Sequence, residues 1–250
     1  MDKSTMLSRL VAVLALAVSA QAVAAGGAVH LEAADIDQGN ISSLQRGARN
    51  FMNYCSGCHS AQYVRFNTIG KYLELSEEQL VDNLMFNAEQ TFETIQASMP
   101  AADAARWYGT APPDMSLMAR AKGADYIYNF LKGFYLDPDS PTGVDNIVLA
   151  GTSMPHVLWE LQGYQNAIFS EHNVDGTMSH EFEGFEPVTT GMLDAEDYDD
   201  FVRDTVNFLA YIAEPIRSDR RMIGTWVIIY LLVFLVIAIM LKKQVWKDVK

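Results

Sequence analysis

Two stretches of the chain carry apolar residues at the spacing of one helix face. Residues 41–54 have them at the first position and then three, seven and ten positions later, which predicts a helix with Asn40 or Ser42 as its N-cap. Residues 194–214 show the clearest helical pattern of the chain, and Asp194 is a suitable N-cap. The first of these helices would end directly before a cysteine.

Weaker patterns predict three shorter helices, at residues 77–86, 114–122 and 124–134. A capping box at residues 76–79 opens the first of them, and Gly123 separates the other two. Residues 136–150 and 160–193 contain repeated glycine and proline, and we expect them to be mostly irregular. Strand patterns are poor throughout, so the predicted fold class is mainly α with long loops.

The first apolar run of the chain lies near its N-terminus. Lys3 and Arg9 precede an apolar segment over residues 10–20, and small residues follow up to Ala25. This arrangement is typical of a secretory signal peptide and is too short for a durable membrane span. We therefore expect residues 1–25 to be removed on export.

A second apolar run lies near the C-terminus. Residues 222–241 contain no charge and are long enough to cross a bilayer as a helix. The basic tail at residues 242–250 favours a cytoplasmic C-terminus. Together with the signal peptide, this predicts an exported domain over residues 26–221 on a single anchor, a helix at residues 222–241.

The exported segment is strongly acidic. Two of the 31 acidic and six of the 18 basic residues lie outside residues 26–221, which leaves that segment a net charge of −17. Such a surface repels nucleic acid and favours a cationic partner through electrostatic steering.

The chemistry of the chain is concentrated in Cys55-Ser56-Gly57-Cys58-His59. Cys-x-x-Cys-His is the spacing of a c-type haem attachment site, with both thiols bonded to the haem and the histidine as proximal ligand. These are the only cysteines, and the other four histidines are scattered, which disfavours zinc. A thioredoxin-like motif would accompany a βαβ pattern, and none is visible. The sequence therefore predicts one covalently bound haem c.

The second axial ligand is left open by the residues alone. Methionine is a common choice in electron transfer. Two methionines precede proline in predicted loops, Met99 and Met154, and an extended loop can carry a sulfur across the distal face. His156 is a third candidate. For any single methionine, packing in the core is the more frequent role.

Several further motifs follow one another in a characteristic order. They are Asn53 to Ser60, Ala111 to Leu117, Ala119 to Ala121, Gly151 to Gly163, and Val206 to Leu209 followed by Glu214-Pro215 before the anchor. In this order, over nearly the whole mature chain, the sequence resembles the cytochrome c1 family of bacterial type, the c-type haem subunits of ubiquinol:cytochrome c oxidoreductase (cytochrome bc1) complexes. The resemblance implies a cytochrome c-like haem domain and a role in electron transfer without bond chemistry of its own.

The resemblance also implies roles for individual residues. Met154 matches the distal ligand, so that His59 and Met154 would fill both axial positions. Arg120 would pair with a haem propionate, Tyr126 would lie at the haem, and Pro112 would line it. A guanidinium suits a carboxylate because it stays charged and binds in a bidentate manner.

The family implies three protein partners. Electrons would come from a Rieske iron–sulfur protein and pass to a basic cytochrome c, and cytochrome b would be the third partner. A candidate docking surface for the basic cytochrome is the acidic set Glu181, Glu183, Glu186, Asp194, Glu196, Asp197, Asp199 and Asp200, although an ordinary solvated surface is about as good an explanation for any single one. Two other functional classes remain as alternatives, a haem enzyme with an open iron position such as a peroxidase, and a membrane-anchored cytochrome acting alone.

Overall fold

The computed structural model describes residues 31–174 and 177–247, and side chains outside residues 171–180 and 218. The predicted signal peptide at residues 1–25 and the last three residues of the tail lie outside the described residues. Within them the fold is mainly α, as the sequence predicts, with three small two-stranded sheets.

The described elements follow in chain order. They are α1 (Ile41–Tyr54), β1 (Ala61–Arg65), α2 (Phe66–Tyr72), α3 (Glu77–Leu84), β2 (Thr94–Ile95), α4 (Ala101–Tyr108), α5 (Met118–Lys122), α6 (Ala124–Lys132), β3 (Phe134–Leu136), β4 (Val144–Asn146), α7 (Trp159–Gln162), β5 (Gln165–Val174), β6 (Thr177–Pro187), α8 (Ala195–Ala213) and α9 (Arg217–Val245). Antiparallel pairing joins β1 with β2, β3 with β4, and β5 with β6.

The centre of the fold is the packing of α1 against α8. Phe51 and Phe208 meet with their ring centroids 5.9 Å apart, and both are fully buried. Gly47 allows the two backbones to approach closely, since a Cβ at this position would lie 2.0 Å from the carbonyl oxygen of Asp204. Arg46 bonds the Asp204 carboxylate on the rim of this contact. The arrangement fixes the C-terminal end of α1.

The helix boundaries match the capping signals. Asn40 accepts a hydrogen bond from Ser43 N at the start of α1, and Asp194 accepts two from the first turn of α8. A full capping box at Ser76 and Gln79 opens α3. These predictions are confirmed because short polar side chains at a helix start satisfy backbone N–H groups that the helix cannot.

The predictions of irregular structure are wrong in two places. Residues 165–174 pair with residues 177–187 as two long antiparallel strands, and residues 144–146 pair with 134–136 at the predicted loop. The hairpin carries a bulge, because Ile168 is opposite Gly184 whereas Phe169 is opposite Phe182. A bulge breaks the alternation of apolar and polar residues on which strand prediction depends. In addition, the helix predicted from residue 114 begins only at Met118.

The C-terminal helix α9 contains the predicted anchor. By length and composition its segment Asp219–Val245 qualifies as a membrane-spanning helix, and its most apolar window is not buried against the rest of the protein. Residues 222–241 lie within that segment. An uncovered apolar helix of this length fits a membrane anchor.

Candidate functional site

The Cys55–His59 segment forms a tight turn at the end of α1. Cys55 ends the helix, with its N–H bonded to Phe51 O at 2.9 Å. The N–H groups of Cys58 and His59 then both reach back to Cys55 O, at 3.1 and 2.8 Å. One turn of chain therefore holds both cysteines and the histidine in sequence, on a helix end that the core keeps in place.

Both thiols are free, and burial keeps them neutral. Burial raises the pKa of Cys55 to about 12, with a further contribution from Cys58, and it also raises the pKa of Cys58. Neither sulfur is engaged in a disulfide, so both are available for thioether bonds.

The imidazole of His59 has a defined tautomer. Its Nδ1 lies 2.9 Å from the carbonyl oxygen of Pro113, which can only accept a hydrogen bond. Nδ1 must therefore carry the proton, which leaves the lone pair on Nε2. Burial lowers the pKa of His59, opposed by Pro113 and by the charge of Asp114, so the ring is neutral at pH 7. A neutral imidazole oriented through its other nitrogen is the usual form of a metal ligand.

Residues 113–116 are fastened to the chain directly after the histidine. Asp114 Oδ2 accepts from Gln62 N at 2.8 Å, and Met115 N donates to Ser60 O at 2.7 Å. Asp114 Oδ1 also accepts from Ser116 N at 2.9 Å, two residues ahead. These bonds fix the position of the Pro113 carbonyl against His59.

Sequence reasoning missed this role of residues 113–116. It assigned a haem-lining role to Pro112, which is half-buried here, but none to Pro113 or Asp114. A signal was available, because aspartate commonly accepts from the backbone two residues ahead and thereby forms a turn. The partner of that turn could not be read from the sequence.

The two candidate methionines lie in different surroundings. Met99 N donates to Gly57 O at 3.0 Å, so Met99 lies alongside the attachment turn itself. Met154 is half-buried in a separate loop, where its N–H faces Thr152 Oγ1 at 3.4 Å. The two methionines therefore lie on different segments, and that of Met99 is the one bonded to the attachment turn.

His156 lies two residues beyond Met154 and is 5% exposed. Its ring stacks on Phe134 at 5.0 Å between centroids, with an interplanar angle of 9°. Among the described residues neither ring nitrogen has a hydrogen-bond partner of ordinary geometry. Burial lowers its pKa to about 4, against smaller opposing effects of Gly163 and Gln162. His156 is therefore a buried neutral ring.

The remaining predicted site residues lie on α5 and α6. Arg120 is exposed near the end of α5, and in residues 31–174 and 177–247 no carboxylate pairs with it. Tyr126 is half-buried on α6, stacked on Phe130 at 6.3 Å, with Lys122 Nζ 5.5 Å from its ring centroid. An exposed guanidinium of this kind is suited to pairing with an acidic group of a ligand.

The predicted acidic surface divides into two groups. Asp194 caps α8, Asp199 binds Lys132 and Arg203, and Asp200 binds Arg203, so these three have structural partners. The other five are exposed, namely Glu181, Glu183 and Glu186 on β6 and Glu196 and Asp197 at the start of α8. Asp194 and Asp200 are exposed as well, so seven of these eight carboxylates face solvent and Asp199 is half-buried.

The donor set fits a covalently bound haem. Two free thiols and a neutral imidazole with an available Nε2 lie on one turn, and a second loop carries the thioether of Met154 two residues before the buried ring of His156. Sulfur and imidazole donors of this kind are the axial ligands of c-type cytochromes.

Comparison with known proteins identifies the family of the chain. The model of the Cytochrome C1 family matches residues 34–249. A cytochrome c1 of Allochromatium vinosum is 43% identical over 91% of this chain and 93% of its own length. An ammonia monooxygenase gamma subunit of Nitrosomonas europaea is 36% identical over 90% of this chain and 91% of its own length. A cytochrome c1 of Rhodospirillum rubrum is 28% identical over 83% of this chain and 82% of its own length.

Proposed function

The chain belongs to the cytochrome c1 family, and from that premise we propose how its own residues hold the cofactor and meet its partners. As a member of that family it binds one haem c covalently and is a haem-bearing electron-transfer subunit of the cytochrome bc1 complex. The bound haem supplies a centre that gains and loses one electron at a time. The residues of the protein attach the haem, ligate its iron, exclude water from it and pair with its charged groups.

Attachment and proximal ligation belong to the turn at the end of α1. Cys55 and Cys58 would hold the haem through thioether bonds, and His59 would bind its iron through Nε2. The observation that carries this assignment is the His59 Nδ1–Pro113 hydrogen bond of 2.9 Å, because it directs the lone pair of the ring onto Nε2. Such outer partners also raise the basicity of the ligand.

Met154 is the proposed distal ligand, with Arg120, Tyr126 and Pro112 around the ring. Its support is the family resemblance, its half-buried place in a separate loop, and the bond that ties Met99 to the attachment turn. Arg120 would pair with a propionate, Tyr126 would lie at the haem, and Pro112 would help to exclude water. With both axial positions filled, the subunit performs no bond chemistry of its own and the quinol reaction belongs to the complex.

The partners proposed are those of the family. A Rieske iron–sulfur protein delivers electrons, and a basic cytochrome c receives them. Cytochrome b is the third partner. The exposed carboxylates of β6 and α8 support a cationic acceptor, since a single-sign surface steers an oppositely charged partner. The haem domain faces the periplasm of a bacterial inner membrane, with α9 as the anchor and the C-terminus in the cytoplasm.

The test compares Met154→Leu with Met99→Leu in the complex purified from membranes. We expect Met154→Leu to lower the midpoint potential and to let carbon monoxide bind the reduced iron, because it removes a ligand without changing side-chain volume much. Met99→Leu should behave as the wild type. If Met99→Leu alone opens the iron, the distal ligand is Met99.

A third variant addresses His156. Phenylalanine keeps a flat ring against Phe134 and removes both unpartnered nitrogens, so His156→Phe should leave the iron closed and the protein at least as stable. An open iron in this variant alone would assign the distal position to His156. Wild-type protein that binds carbon monoxide, or that purifies without other subunits, would favour an open-site enzyme or a free-standing cytochrome.

A further inference from the structure

The carboxylate of Asp145 holds together the loop that leads to Met154. Asp145 Oδ1 accepts from Gly151 N at 2.7 Å and from Thr152 N at 3.3 Å, in addition to Asn146 N at 2.8 Å. The first two bonds close residues 145–152 into a ring. Hydrogen bonds to a charged acceptor are roughly twice as strong as those between neutral groups.

The neighbouring residue fastens the same loop to the body of the domain. Asn146 is fully buried, and its Nδ2 donates to Phe130 O at 2.8 Å at the end of α6. Its Oδ1 accepts from Val148 N at 2.9 Å. The root of the loop is thereby tied to the helix that also carries Tyr126.

The downstream side of Met154 is fixed to the same small sheet. His156 stacks on Phe134, and Phe134 is directly opposite Asn146 in the pairing of β3 with β4. Three residues, 153–155, therefore span the distance between the segment held by Asp145 and the buried ring of His156. Gly151 adopts a φ of +72°, a conformation that glycine alone adopts without strain, at the point where the chain turns back to Asp145.

We propose that Asp145 is a positioning residue that holds the Met154 backbone in place for the iron. This rests on the proposed function, since it requires Met154 to be the distal ligand. A thioether is a neutral, weak donor. Its bond to iron is stronger when the loop is already ordered, because forming the bond then costs less conformational entropy. Asp145 supplies that order in advance through two backbone N–H groups, without touching the ligand.

The experiment uses the full-length chain within the purified complex and compares three variants. Asp145→Ala removes the acceptor, and Asp145→Asn keeps an acceptor oxygen but removes its charge. Asp139→Ala, the control, removes an exposed carboxylate from the turn between β3 and β4. The readouts are the fraction of reduced iron that binds carbon monoxide and the midpoint potential.

We expect an ordered series. Asp139→Ala should match the wild type, Asp145→Asn should raise the carbon monoxide-reactive fraction a few-fold, and Asp145→Ala should raise it about ten-fold or more, since a lost bond to a charged acceptor is worth roughly a factor of ten. The potential should fall in the same order, less than in Met154→Leu.

The outcomes separate the two proposals. If Met154→Leu opens the iron while both Asp145 variants remain closed at the wild-type potential, the positioning role is wrong and the ligand assignment stands. If Met154→Leu itself changes nothing, the ligand assignment fails. Should Asp145→Ala not accumulate, Asp145→Asn decides alone, and a wild-type response in that variant overturns the positioning role.

Discussion

Replacing Gly47 with alanine tests whether the contact of α1 with α8 fixes the haem-attachment turn. A Cβ at this position would lie 2.0 Å from Asp204 O, 2.7 Å from Asp204 C and 2.8 Å from Phe208 Cβ. Real Cβ atoms essentially never come closer than 3.0 Å to a neighbour, and the nearest atoms here are backbone. The two helices would therefore have to separate by about 1 Å or more, which a close-packed interior resists.

The size of the effect follows from two opposing contributions. Overpacking of a core costs about 1–3 kcal/mol, and the upper end applies because no flexible side chain can yield. Alanine returns about 1 kcal/mol through its better helix propensity. The net loss in free energy of unfolding is about 2 kcal/mol, which lowers the Tm of a domain of this size by roughly 4–8 °C.

The assay is thermal unfolding of the haem-bearing full-length chain in detergent, followed by far-ultraviolet circular dichroism. Gly70→Ala is the matched control, because it also lies within a helix but its nearest neighbour is the end of the Leu80 side chain at 3.0 Å, which can move. The control should remain within about 1 kcal/mol of the wild type. A Gly47→Ala protein with an unchanged or higher Tm, or with the same shift as the control, would refute the reasoning.

Three further predictions concern charge and anchoring. Burial alone would raise the pKa of Asp199, but Lys132 and other partners outweigh it and lower that pKa. The stabilising contribution of the carboxylate is therefore present above about pH 4 and is lost as pH falls through the folded-state pKa. The difference in unfolding free energy between wild type and Asp199→Asn should accordingly shrink below about pH 4, as denaturant titrations will show. Deletion of residues 222–250 should release a water-soluble domain that still carries haem, which partitioning without detergent and haem staining will show. Charge reversal of the three exposed β6 glutamates should slow electron transfer to a basic cytochrome c at low salt, as measured by stopped flow; these are Glu181, Glu183 and Glu186.

Each of these has a control. Lysine at three exposed acidic positions elsewhere gives the same change in net charge, and it should leave the rate nearly unaltered; these positions are Asp82, Glu89 and Asp139. Equal rates for both triple variants would make β6 ordinary surface. Loss of haem after the deletion would mean that α9 belongs to the fold. A pH-independent effect of Asp199→Asn would show that the carboxylate titrates alike in both states.

Local signals predicted local structure well. The caps at Asn40, Ser76 and Asp194 are properties of a few consecutive residues, so the starts of α1, α3 and α8 could be read directly. The Cys-x-x-Cys-His motif is equally local, and the covalent haem followed from it. The function of the protein, by contrast, was predicted from the family resemblance and not from any one pattern.

Features that depend on distant residues were not predicted from the sequence. The hairpin of β5 and β6 was missed because its bulge disrupts the alternation of apolar and polar residues. Its strands are stabilised by hydrogen bonds to each other, which the pattern of either strand alone does not reveal. The acceptor for His59 lies 54 positions away, at Pro113, and it is a backbone oxygen that no residue type reveals. The assignment of Met154 stays a prediction that the variants above will test, and those of Arg120, Tyr126 and Pro112 stay predictions as well.

The pairing of α1 with α8 also has a consequence for the order of events during synthesis. Arg46 and its partner Asp204 are 158 positions apart, so the helix that ends at the attachment turn waits for nearly the whole chain before its own packing partner exists. Closing so long a loop is entropically costly and slow. During that interval the two cysteines lie on a segment that is not yet enclosed, and the chemistry that joins them to the cofactor can reach them.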